Sequence, residues 1–179
     1  MKWFKNIFSS TVNDKPGEPV TSQELGDYLF DLCVRQVVSF LDTWEHSLQE
    51  KAKLSRDDID QVELLIAFMW SYFDLLKNEK HLDALTRMHG RFRQHMTELN
   101  IDADEMWHLL QARYDEYRQR HRSKGTIDFT YKRAAWEIGK NINIHDSPNL
   151  WLEFQVVVSL QQNVLHIGKA IKNMSLSNA

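Results

Sequence analysis

Apolar side chains return every third or fourth residue through most of this chain, the spacing that lays a stripe along one face of an α-helix. In the first such stretch Leu25, Tyr28, Leu29, Leu32, Val37, Phe40, Leu41, Trp44 and Leu48 share a face, with Asp27, Asp31, Arg35, Asp42 and Glu45 on the wet side. A helix over 22–53 is predicted. Its start is marked by Thr21 and Glu24, a hydroxyl and a carboxylate three apart that can satisfy two orphan backbone N–H groups reciprocally.

The second stretch is different, because residues 64–73 are apolar nearly all round. A helix of that kind is surrounded by others. It is predicted to open at Ser55, with Asp57 and Asp58 in its first turn, and to sit at the centre of the fold. Glu63, Ala67, Trp70 and Asp74 form its least apolar line, and the two carboxylates are expected to meet arginines from neighbouring helices.

Leu82, Leu85, Met88, Phe92, Met96 and Leu99 predict a third helix over 79–99. Gly90 interrupts it at a cost of roughly 1 kcal/mol relative to Ala, which points to a close helix crossing or a kink. A fourth helix starts at Asp102, with Glu105 three residues on and Ile101 and Met106 placed as a hydrophobic staple. It is expected to end at Ser123, Lys124 and Gly125. The fifth covers 128–142 around Ala134, Ala135, Ile138 and Ile142.

The sixth is expected to start with Ser147 as N-cap and Pro148 in the first helical position. It runs to about residue 173 through Leu150, Trp151, Phe154, Val157, Val158, Leu165 and Ile171. Its β-branched segment 154–160 is the one place where a strand competes. Trp44, Trp70, Trp107, Trp136 and Trp151 fall one each on five of these helices and are expected to fill a packed interior.

Ahead of the helices, residues 9–20 hold two of the three prolines with Gly17, Asn13 and two serines, which is linker chemistry. The chain therefore divides into residues 1–20, a tethered peptide and linker, and 21–179, one helical domain. The expected fold is all-α, a single-domain bundle of about six helices with a buried second helix and a short N-terminal amphipathic segment. If helical, that segment sets Trp3, Phe4, Ile7 and Phe8 on one face with Lys2 and Lys5 beside them. Such a patch can dock on a partner, touch an anionic membrane peripherally, or fold back on its own domain.

Composition narrows this picture. The lone Cys33 has no second cysteine to pair with, and the first eight residues lack the apolar run of roughly 7–15 residues that a secretory signal needs. No apolar stretch approaches the roughly 20 residues of a spanning helix. A soluble, cytoplasmic protein is expected, and Cys33, between Leu32 and Val34, reads as a small buried hydrophobe.

Net charge is only −3, but it is unevenly spread: residues 21–63 carry ten acids and four bases, residues 113–140 eight bases and four acids. The basic segment interleaves tyrosines, with Arg113, Tyr114, Tyr117, Arg118, Arg120, Arg122, Lys124, Tyr131, Lys132 and Arg133. Phosphates attract such cations and bases stack on tyrosine, so nucleic-acid binding through these residues is one functional alternative. Two oppositely charged segments within one domain also attract each other.

Enzymatic signatures are missing. Glu105 and His108 match the Glu-x-x-His spacing of di-metal bundles, but a second such pair is needed and is not present. His145 and Asp146 form a doublet of the type used by helical metal-dependent phosphohydrolases, here ahead of a predicted helix start where a turn explains them. No phosphate-binding glycine loop or nucleophile elbow occurs. No catalytic residue, metal ligand or cofactor is therefore assigned, and a metal-dependent helical enzyme is kept as the second alternative. The favoured reading is a non-enzymatic interaction or regulatory protein whose partner is another protein or a second copy of itself, bound through Trp3, Phe4, Ile7 and Phe8 or through a helix face.

Overall fold

A computed structural model describes residues 20–121, 130–145 and 149–172. They form six α-helices: α1 (Ser22–Ser47), α2 (Gln61–Leu76), α3 (Leu82–Glu98), α4 (Ala103–His121), α5 (Thr130–Asn141) and α6 (Leu150–Lys172). There is no strand among the described residues; residues 154–160, where a strand competed in the sequence, are helical.

The predicted start of α1 is present in full. Thr21 Oγ1 accepts from the Glu24 N–H at 3.1 Å while Glu24 accepts from the Thr21 N–H at 2.9 Å. At its far end the helix widens into one π-helical turn, Leu48–Ala52, and stops at Lys53 in a left-handed conformation (φ 58°). The Leu48 carbonyl accepts the N–H groups of both Lys53 and Leu54, so this ending satisfies backbone groups that a straight helix would leave open.

α2 begins later than Ser55. Ser55 and Asp58 cap only a single 3₁₀ turn, Arg56–Asp58. Ile59 is then extended, and its neighbours pair with the end of α5: Asp60 N–H donates to the Ile142 carbonyl at 2.7 Å, and Ile144 N–H to the Asp58 carbonyl at 3.1 Å. This isolated bridge breaks the helix, and Asp60 restarts it by accepting from Val62 and Glu63. From there the expectation of a central helix holds. Every residue from Glu63 to Tyr72 is buried, and α2 touches each of the other five helices.

α4 starts where expected, with Asp102 Oδ1 accepting from Asp104 and Glu105, and Ile101 and Met106 both half-buried against the core. Its predicted end at 123–125 lies outside the described residues. α6 is capped by Asn149, whose side chain accepts from the Leu152 N–H at 3.0 Å. Leu150 is thus the first helical residue, two beyond the expected Pro148, and Ser147 and Pro148 lie outside the described residues.

The glycine reading needs correcting. Gly90 faces open space and marks no crossing. The close approach is at Gly26, where a Cβ would come within 2.5 Å of the Ala84 carbonyl oxygen and of Arg87 Cβ, so α1 and α3 pack backbone to backbone. Beside that contact Arg87 donates twice to Asp27, at 2.7 and 3.1 Å. Gly139 plays the same part on α5, lying against Glu153 of α6.

Candidate interaction surface

Two regions hold unusual side chains: a polar network around α2 and α4, and the outward side of α6 with its neighbour α5. The network realises the pairing expected of Glu63 on α2. Glu63, 5% exposed, accepts three hydrogen bonds of 2.7–3.0 Å from Arg113 of α4. Arg113 also donates to Glu116 at 3.0 Å, and Asn141 of α5 donates to the same Glu116 oxygen at 3.1 Å. Burial holds the Glu63 carboxyl above its ordinary range even though Arg113 pulls it down, while hydrogen bonds to Glu63 raise the Arg113 guanidinium. Asp74, the other carboxylate on that line, pairs with Lys77 three residues along the chain.

Next to this network lies an aromatic cluster. His89 Nε2 is 3.2 Å from the Tyr114 hydroxyl, and the His89 ring packs against Phe73, Trp107 and Tyr114. Burial lowers the His89 imidazole to about 4, so it is neutral at physiological pH. Arg118 stands over the Phe73 ring at 5.9 Å.

These facts bear on the first part of the basic segment. Tyr114 and Tyr117, read as base-stacking groups, are core residues, 6% and 0% exposed, and Tyr117 packs edge-on against Trp70. Arg113 is committed to Glu63 and Glu116, and Arg118 to Asp115 at 3.7 Å. Glu63 to Arg113 is a direct link between the acidic and basic segments of the chain. Arg122 and Lys124, and the side chains of Arg120, Tyr131, Lys132 and Arg133, lie outside the described residues. The burial of the two tyrosines was legible: Leu110, Tyr114 and Tyr117 continue a helical stripe in steps of four and three.

The other candidates fall as follows. Cys33 is fully buried, and desolvation drives its thiol well above the usual range. Glu105 and His108 are exposed on α4, and among the described residues no three metal-binding side chains of the His, Cys, Asp or Glu type cluster together. His145 hydrogen-bonds Asp58 at 3.0 Å across the bridge that joins α5 to α2; Asp146 lies outside the described residues. So do Trp3, Phe4, Ile7 and Phe8. No helix among the described residues is long and apolar enough to cross a membrane.

The second region was missed in the sequence. α6 has two apolar lines, and the inward one is Leu152, Val156, Leu160 and Ile167, all buried, accompanied by Gln155 and Asn163. Leu150, Phe154 and Leu165, read as part of the core stripe, face outward and are 77%, 61% and 65% exposed. Val157, Val158 and Gln161 lie between them on the same side and are half-buried. On α5, Trp136 is 51% exposed instead of filling the interior. It precedes Gly139 by three residues, or about 60° round the helix, so it flanks the side of α5 that meets α6. At the start of α6 Trp151 packs edge-on against Trp44 of α1, ring centroids 5.8 Å apart. The result is a largely apolar strip without charged members along one helix, and large apolar strips on a protein surface mark contact sites. Compared with protein-family models, curated proteins and solved structures, the chain has no significant match.

Proposed function

We propose that this chain is a non-enzymatic protein-interaction or regulatory protein of the cytoplasm that works by presenting the outward face of α6, flanked by Trp136 of α5, to another protein surface. The observation that carries this reading is the exposure of Leu150, Phe154 and Leu165 along one line of a single helix. Burying such side chains is worth roughly 1.5–3 kcal/mol each, so leaving them wet is a standing cost that a partner would remove. The N-terminal residues Trp3, Phe4, Ile7 and Phe8 are a second apolar element that the same partner could engage.

Photo-cross-linking from position 154 in intact cells tests the reading. Covalent adducts to protein are expected there, and none from Glu98, an exposed position on α3. Equal labelling at both positions, or none at 154, would overturn it. Removing residues 2–8 and repeating the labelling reports whether the N-terminal segment contributes.

A further inference from the structure

The outward line of α6 has an internal symmetry. Its members are Leu150, Phe154, Val157, Val158, Gln161 and Leu165, and they are arranged evenly about a point between Val157 and Val158. We infer that the occupant of this face is a second copy of the same chain, with the two α6 helices packed antiparallel about a two-fold axis at that point. In this register Leu150 of one copy meets Leu165 of the other, Phe154 meets Gln161, and Val157 meets Val158. An isologous interface requires this kind of self-complementarity, in which a residue i meets j and j meets i. The inference rests on the reading above that this face binds protein.

Charge agrees with it. The line from Leu150 to Leu165 has no ionisable member, so copying it onto itself brings no like charges together. Glu153, the acidic residue nearest the strip, is turned toward Gly139 of α5. Area points the same way: by their fractional exposures Leu150, Phe154, Leu165 and Trp136 alone leave roughly 500 Å² open, more than half of the ~800 Å² per partner of a standard stable interface, and the half-buried members of the strip add to it. The strip spans 16 residues, about 24 Å of helix, which a second α6 matches along its whole length and the apolar residues 3–8 alone would match only in part.

The test is a charge pair written across the proposed axis. Sedimentation or light scattering of the full chain should give twice the chain mass at micromolar concentration, falling toward one on dilution. Leu150→Glu should weaken self-association by roughly tenfold or more, and Leu165→Lys should do the same. The double variant Leu150→Glu/Leu165→Lys should recover it, because each new acid then faces a new base of the other copy. Both sites are exposed, and far-UV circular dichroism should show that all variants fold.

A chain that is monomeric throughout the concentration range would overturn the inference. So would single variants that associate normally, a double variant weaker than either single one, or loss of the dimer on deleting residues 2–8. Cross-links from position 154 that lead only to other proteins, in a monomeric chain, would sink self-pairing while leaving the interaction reading in place.

Discussion

α2 is apolar nearly all round and α6 along two lines, and their surroundings are opposite. α2 is enclosed by all five other helices, and its one buried carboxylate is answered by Arg113. α6 rests on α5, α2 and the π-helical turn, and along its remaining side Leu150, Phe154 and Leu165 are exposed. An all-round apolar helix is a signature of enclosure. In α2 the enclosure comes from the other five helices; on α6 the described residues leave Leu150, Phe154 and Leu165 exposed. A run of apolar residues on a helix therefore means core in one place and exposed surface in another, and what packs against it makes the difference.

Truncating one aromatic on each helix breaks this comparison most directly. Phe68 of α2 is 1% exposed, so Phe68→Ala should cost about 4 kcal/mol by the lost transfer energy and the cavity left behind. Phe154→Ala on α6 should change the stability of the isolated monomer by less than about 0.5 kcal/mol. Urea unfolding at low protein concentration measures both. Similar losses would mean that Phe154 is covered in the monomer.

The polar partner of α2 gives the next largest effect. Glu63→Ala leaves the Arg113 guanidinium without its main acceptor in a partly buried place and should cost about 3 kcal/mol. Replacing both members, Glu63→Leu with Arg113→Met, should recover most of that, since a buried ion pair often does little better than apolar groups of the same size. A double variant as unstable as the single one would show that Glu116 and Asn141 need Arg113 in place.

The packing on the α2 side can also be read through pH. His89 titrates at about 4 when folded, below the ordinary 6.5 of an unfolded chain. The unfolded state therefore binds the extra proton first, and the contribution of His89 to stability is complete above pH 6.5 and lost as pH falls toward 4. Between pH 7 and about pH 5 this amounts to about 2 kcal/mol. His81 and His95 are also lowered by burial and add in the same direction. His89→Gln should flatten the pH dependence of urea unfolding over that window, while Phe154→Ala should leave its slope unchanged.

The sequence disclosed this architecture unevenly, and the reasons are physical. Six helices, the α1 capping box and the enclosure of α2 follow from local spacing, which the chain carries in itself. α6 did not yield its orientation, because with apolar residues on two lines the periodicity names two faces without saying which is inward. Nor does the sequence show that Arg113 meets Glu63, which is fifty residues away and reaches it only through the fold. The start of α2 was misplaced for a similar reason: Ser55 has good capping chemistry, but a backbone bridge from Ile59 to Asn143 overrides it. The candidate surface was thus the least legible part, defined by the absence of a neighbour.

Glycines provide the finest test of where neighbours are. Gly26 and Gly90 sit in helix interiors and look alike in sequence, but Gly26 is pressed against the backbone of α3 and Gly90 against nothing. Gly26→Ala should cost roughly 1–2 kcal/mol, because the Ala84 carbonyl cannot swing aside as a flexible side chain could. Gly90→Ala should instead stabilise by up to about 1 kcal/mol, through better helix propensity and a less flexible unfolded chain. Gly139→Ala lies between them: the Glu153 Cγ at 2.7 Å can move, but its Cα at 3.3 Å can give only by shifting α6. If α6 is held on one side alone, that shift is cheap and the loss stays under about 1 kcal/mol. A loss as large as that of Gly26→Ala, measured by thermal unfolding of the monomer, would mean that α6 is clamped from outside as firmly as α1 is.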